Sequence, residues 1–241
     1  RPGLREQITL DLYIVRNIAN WLKNNIGLIR SDLVALIDEL GKRVFEEMDY
    51  LNEAKNAEKF KNLHLHNSKI AVPKIYKETT SRRVLTMEWI DGTKLTNLEG
   101  VKKLGIDPDE MIEIGVQCSL EQLLEHGFFH ADPHPGNLLA LEDGRLCYLD
   151  FGMMSEVTRS SRSGLIQAVV HLVNKNFDKL SQDFVKLGFL SEKVNLEPIV
   201  PAFQDVFINA VELGVSKMDF KSVTDDMSGV MYKFPFQLPP Y

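Results

Sequence analysis

The stretch from Phe128 to Gly152, FFHADPHPGNLLALEDGRLCYLDFG, constrains this chain more than any other. It holds the one arrangement of polar residues that short-range folding does not explain. Leu138–Leu141 and Leu146–Leu149 are short apolar runs joined by Glu142-Asp143-Gly144-Arg145. An Asp-Gly pair between apolar runs predicts a β-hairpin. The stretch therefore reads as a loop, a hairpin, and then the triplet Asp150-Phe151-Gly152.

The loop contains Asp132, Asn137 follows five residues later, and Asp150 comes thirteen residues after Asn137. A loop Asp, a nearby Asn and a post-hairpin Asp-Phe-Gly, in that order, match the catalytic loop and metal-binding segment of protein kinases. Phosphoryl transfer from ATP asks for an oriented nucleophile and for phosphate charge neutralised by Mg2+ on oxygen ligands. Asp132 would orient or deprotonate the attacking hydroxyl or water, and Asn137 and Asp150 would hold Mg2+. Taken singly, each residue is ordinary turn chemistry. The three in order, with a hairpin to bring the two ligands together, favour the functional reading. His130 is expected as a structural hydrogen-bonding residue and His134, between two prolines, as one that shapes the loop; neither is expected to make a metal site, since no Cys or second His sits at ligand spacing on a helix or hairpin. Gly152 closes the loop structure.

Charge and cysteine usage bear on which partners to expect. With 28 Lys+Arg against 34 Asp+Glu the net charge is −6, which argues against a general nucleic-acid binder. Cys118 and Cys147 are the only cysteines, in segments that read as helix and buried strand, so no disulfide framework is expected. No apolar run approaches the length needed to span a bilayer. The first residue is Arg1 and the last segment is FPFQLPPY, so the sequence reads as an excerpt of a longer protein.

Along the chain, Ile8, Leu12, Val15, Ile18, Ala19 and Leu22 repeat at helical spacing, with a stop near Gly27. Ser31 is a suitable N-cap for a second helix through Leu33, Leu36, Ile37, Leu40, Val44 and Phe45, continuing with a break as far as Phe60. If that helix were continuous, Asp49 and Glu53 would be a like-charged i, i+4 pair costing about 0.2 to 0.5 kcal/mol. Ala57 stands where a compensating cation could have been. An acidic run is ordinarily a solvated face. With a phosphate site downstream, Glu53 becomes the candidate for the helix Glu that, in kinases, pairs with a Lys gripping the nucleotide phosphates.

Ile70–Tyr76 and Val84–Ile90 read as strands, the first an edge or bulged strand because of Pro73. In a kinase layout the second leads into the hinge. Backbone groups near Glu88, Trp89 and Ile90 would then meet the adenine, with side chains there expected to pack. Asp107-Pro108 starts a helix that Gly127 ends. Helical segments follow from Thr158 onward over 165–173, 177–187 and 199–213, punctuated by Gly188, Pro198 and Gly214.

HADPHPGN with LDFG, combined with FEEMDYLNEAKNAEKF, resembles the UbiB family of atypical kinases, also called aarF-domain-containing kinases, over essentially the whole chain. The resemblance implies an α+β, protein-kinase-like two-lobed fold, with an incomplete small lobe over residues 1–90 and a mostly helical lobe over 91–241. It implies Asp132 as the catalytic-loop Asp, Asn137 and Asp150 as metal ligands, and Glu53 as the helix Glu. Glu47 and Asp49 match the family's acidic Glu-x-Asp pair, which in relatives contacts a Lys from an N-terminal extension. ATP and Mg2+ are the implied cofactors. The implied partners are isoprenoid lipid or quinone intermediates, quinone-biosynthesis proteins and, for the complete protein, a membrane surface, in a plastid, cyanobacterial-type or mitochondrial setting. The family's alanine-rich nucleotide loop, strand Lys and Lys-x-Gly-Gln extension all lie upstream of Arg1. Two rivals stand beside this reading: a small-molecule kinase of the aminoglycoside or choline type, and a nucleotide-binding pseudokinase scaffold.

Overall fold

The computed structural model describes residues 3–25, 33–213, 220–234 and 236. It divides into two compact units, Arg1–Ser119 with His130–Met154, and Leu120–Phe129 with Ser155–Tyr241. The lobe boundary expected at residue 90 falls inside the first unit, because strands from both sides of it pair in one sheet. The helix stop at Gly27, the N-cap at Ser31 and the break at Gly214 lie outside the described residues.

In the first unit, α1 (Leu4–Asn25) packs on α2 (Leu33–Glu47). Gly41 permits the approach, since a Cβ there would stand 3.2 Å from a methyl of Leu12. Arg16 adds a forked ion pair to Asp38, at 2.6 and 3.0 Å. The expected break comes at Met48-Asp49, where the chain turns extended and Asp49 caps α3 (Tyr50–Leu63) by accepting from the Leu51 N–H at 3.2 Å. The continuous helix that would have set Asp49 against Glu53 does not form, because the Asp side chain satisfies a free helix-start donor more effectively than it would continue a helix. α3 buries Glu53, Ala54, Ala57 and Phe60, an i, i+1, i+4, i+7 face.

The sheet of this unit runs β1-β5-β4-β2, with β1 Ile70–Ala71, β2 Thr93–Lys94, β4 Leu138–Ala140 and β5 Leu146–Tyr148. The anticipated hairpin is β4–β5, antiparallel with Leu138 opposite Tyr148 and Ala140 opposite Leu146. Gly144 takes φ 81°, a conformation that the turn requires and that glycine adopts without strain. β1 joins β5 in parallel, Ile70 opposite Leu146. Ala71, Leu139, Leu141 and Cys147 form a small buried core, with Ile90 and Leu149 packed against it.

The two longer strands expected over Ile70–Tyr76 and Val84–Ile90 contract. Beyond β1 the segments pair only around Ile75 and Met87, with Tyr76 N–H donating to Thr86 O at 2.9 Å and Glu88 N–H to Lys74 O at 2.8 Å. Pro73 lacks a donor, and a two-stranded ribbon without a third strand is marginal in water. α4 (Leu98–Lys103) is capped by Asn97, and α5 (Pro108–Glu121) follows Asp107, which accepts from Asp109 N–H. α5 passes into a π-helical turn, Gln122–His126, that ends at Gly127 with φ 66°. A short ribbon of β3 (Phe128–His130) and β6 (Met154–Glu156) flanks the central stretch.

The second unit is helical: α6 (Arg159–Val173), α7 (Phe177–Lys186), α8 (Ile199–Leu213) and α9 (Phe220–Lys233). Thr158 and Asn176 cap α6 and α7 through their side chains, and Gly188 at φ 79° turns the chain after α7. Phe177, Leu180, Leu187, Leu190, Ile199, Phe203 and Val230 build its core. The three helical segments anticipated after Thr158 are present, and α9 adds to them.

Candidate functional site

The site is assembled at the open end of the β4–β5 hairpin. Asn137 enters β4 from a 3-10 turn, Pro135–Asn137, that His134 stabilises by accepting from Gly136 N–H at 3.0 Å, and Asp150 leaves β5 two residues after its end. Antiparallel pairing thereby brings residues thirteen apart into contact: Asn137 Nδ2 donates to Asp150 Oδ2 at 2.8 Å. The main chain reinforces this, with Leu149 N–H donating to Asn137 O at 3.1 Å. The contact brings together an amide and a carboxylate, the kinds of side chain whose oxygens are hard donors suited to Mg2+.

His130 ties the loop to the triplet. Its Nδ1 accepts from Asp132 N–H at 3.2 Å, which places the ring proton on Nε2, and Nε2 lies 2.9 Å from Asp150 O. Burial lowers the pKa of the ring, so it stays neutral in this bridge. Asp132 itself is solvent-exposed on the loop, its carbonyl accepting from His134 N–H at 2.8 Å.

α3 approaches the same triplet. Phe151 N–H donates to Glu53 Oε1 at 3.4 Å, and Asn56 Nδ2 donates to Phe151 O at 3.0 Å. Phe60 packs on Phe151 and Tyr148, with ring centroids 5.2 and 5.1 Å apart, which fixes the helix against the hairpin. The carboxyl of Glu53 is pushed up to about 7, first by burial and then by Asp150 and Glu47. Among the described residues no lysine or arginine forms an ion pair with it. Asn56 was not foreseen. Its signal was a polar residue one turn beyond Glu53 on a face otherwise made of Ala54, Ala57 and Phe60.

Gly152 N–H donates to Asp150 Oδ1 at 2.9 Å, and a Cβ on Gly152 would stand 3.1 Å from Cγ of Glu47. Glu47 therefore reaches the triplet. Asp49 does not join it through any contact described: it caps α3 and lies 3.5 Å from Arg82 Nε. The hinge residues differ from expectation. Only Ile90 packs; Glu88 is exposed and accepts from Lys74 N–H at 3.0 Å, while Trp89 is 86% exposed with its Nε1 donating to Asp91 Oδ1 at 2.9 Å. The segment pairs around Met87 and belongs to no named strand beyond it, so Glu88 and Trp89 stay at the surface. Cys118 and Cys147 are buried and form no disulfide, and burial pushes the Cys147 thiol up to about 12.

Residues 1–184 match the model of the ABC1 atypical kinase-like domain. An uncharacterized protein of Synechocystis is 57% identical over 241 residues, covering 100% of this chain and 35% of that protein. The chloroplastic protein ACTIVITY OF BC1 COMPLEX KINASE 3 of Arabidopsis thaliana is 46% identical over 241 residues, covering 100% of this chain and 34% of its own. The chain thus spans about a third of the length of these relatives. Among solved structures, a Mycobacterium tuberculosis protein determined in complex with erythromycin superposes with a TM-score of 0.66 at 22% identity, over 88% of this chain and 53% of that one. That likeness concerns the fold.

Proposed function

Because the chain belongs to the ABC1 atypical kinase-like family, with the kinase-like α+β fold, we propose that it carries the metal-binding and acceptor-facing part of a Mg2+-dependent, ATP-using protein. Its reaction is ATP hydrolysis or phosphoryl transfer to a small molecule or lipid, in support of prenylquinone biosynthesis. The setting is plastid or cyanobacterial, as for its chloroplastic and cyanobacterial relatives. The observation that carries this reading is the 2.8 Å contact between Asn137 and Asp150 across the hairpin end.

In this reading Asn137 and Asp150 hold Mg2+, which when bound neutralises charge on the nucleotide phosphates. Asp132 takes up or orients the proton of the attacking hydroxyl or water. His130 keeps the loop and the triplet in register, and Glu53 awaits a lysine from the rest of the protein. Glu88 to Ile90 offer main-chain groups to the adenine. ATP turnover by the full-length protein tests the assignment. Asp150→Ala should lower it by at least about a hundredfold, since a metal-centred loss amounts to several kcal/mol. Turnover at the wild-type rate in a folded Asp150→Ala protein would refute the metal assignment.

A further inference from the structure

The triplet Asp150-Phe151-Gly152 is held in an unusual way. Four consecutive main-chain groups are each satisfied by a side chain: Asp150 O by His130, Phe151 N–H by Glu53, Phe151 O by Asn56 and Gly152 N–H by the Asp150 carboxylate. The last two groups belong to one peptide. Asn56 therefore grips the Phe151–Gly152 peptide from its carbonyl side, while Asp150 Oδ1 grips it from its N–H side, with Oδ2 of the same carboxylate taken by Asn137. The orientation of that peptide decides where the Asp150 carboxylate points.

A peptide preceding glycine is the easiest to turn over, because glycine tolerates the resulting backbone angles. A Cβ at this position would crowd Glu47 Cγ at 3.1 Å and Asp150 Oδ1 at 3.3 Å. Something other than backbone sterics must hold the plane. Glu53 grips the neighbouring peptide and is expected to be drawn to a cation in the complete protein. Asn56 is uncharged, half-buried and anchored one turn later on a helix that Phe60 locks against the hairpin.

We propose that Asn56 is a positioning residue for the metal site: by fixing the Phe151–Gly152 peptide it sets the orientation of the Asp150 carboxylate, and hence the affinity for the divalent cation, independently of Glu53. This inference rests on the metal-binding reading of Asp150. It assigns to α3 two separable tasks, with Glu53 serving the nucleotide and Asn56 serving the metal ligand.

The test uses full-length protein with Asn56→Asp and Asn56→Leu, which keep the side chain's size and remove its donor. Thermal melts establish that each variant is folded. ATP turnover against Mg2+ concentration should show the half-saturating Mg2+ raised about tenfold, within the range for lost outer-shell contacts, with kcat at saturating Mg2+ changed less than about twofold. Mn2+ binding without nucleotide, read by electron paramagnetic resonance, should weaken by the same factor. A merely structural role would lower kcat or stability and leave the Mg2+ requirement in place. Folded variants with the wild-type Mg2+ and Mn2+ affinities overturn the proposal. Wild-type protein that binds Mn2+ and fails to turn over ATP sinks the phosphotransfer reading, and the variants' Mn2+ affinities still decide the role of Asn56. Wild-type protein that binds neither ion overturns both.

Discussion

The two supports of the Asp150-Phe151-Gly152 triplet differ in how they are built. One is the β4–β5 hairpin, which joins Asn137 to Asp150 across thirteen residues of sequence. The other is α3, whose Glu53 and Asn56 reach Phe151 across 98 and 95 residues. The hairpin's geometry follows from local chemistry: an Asp-Gly turn between two short apolar runs leaves little freedom in register. The helix's geometry depends on packing, since only the burial of Phe60 among His64, Tyr148 and Phe151 decides which face of α3 meets the triplet. One support is encoded nearby and the other must be found by collapse.

Breaking the helix support should therefore cost the most. Phe60 is fully buried, so Phe60→Ala leaves a cavity at the meeting point of helix and hairpin and is expected to destabilise the chain by about 3 to 5 kcal/mol. Urea denaturation measures this directly. A loss below about 1 kcal/mol would mean that α3 is held by its helix partners and that the hairpin contact is incidental.

This division also explains what could be read in the sequence. Asp132, Asn137 and Asp150 were legible because their spacing and the turn between them are local. The hairpin, the cap at Asp107 and the stop at Gly127 were legible for the same reason. Glu53 was found because a phosphate-site motif lies downstream of it, and its hydrogen bond to Phe151 could not be read from spacing. Asn56 escaped because a lone polar residue on a helix face looks like surface until the partner main chain is seen. The strand lengths over residues 70–90 were overestimated because alternation of side chains says nothing about whether a neighbouring strand is present to complete the ladder.

The buried carboxyl of Glu53 sharpens the comparison by a smaller effect. Its pKa in the folded chain stands at about 7, above its usual value of 4.5, chiefly through burial. An acid raised in this way favours the protonated fold. The stabilising contribution is complete below pH 4.5 and is lost as pH rises through 7, amounting to about 3 kcal/mol. The 241-residue chain should thus melt at falling temperatures as pH rises from 4.5 to about 7. Glu53→Gln should flatten that slope, and a variant with the wild-type slope would place the titration elsewhere. In the full-length protein a lysine reaching Glu53 would pull its pKa down and remove the slope from the wild type as well. The same pair of melts therefore shows whether α3 serves the nucleotide in the complete molecule.

The smallest expected effect separates the two roles at Asp49, the residue where α2 ends and α3 begins. Its side chain accepts from Leu51 N–H, so Asp49→Ala should cost about 1 kcal/mol through the lost cap, seen as a lower urea midpoint with unchanged slope. The ion pair with Arg82 is solvent-exposed and adds little. Asn caps a helix about as well as Asp, so Asp49→Asn should restore stability while removing the charge. If the full-length Asp49→Asn protein keeps the wild-type ATP turnover, the acidic character of this position is a matter of folding α3. If turnover changes while stability does not, the carboxylate answers to a cation brought by another part of the protein, and the start of α3 belongs to the site as well as to the scaffold.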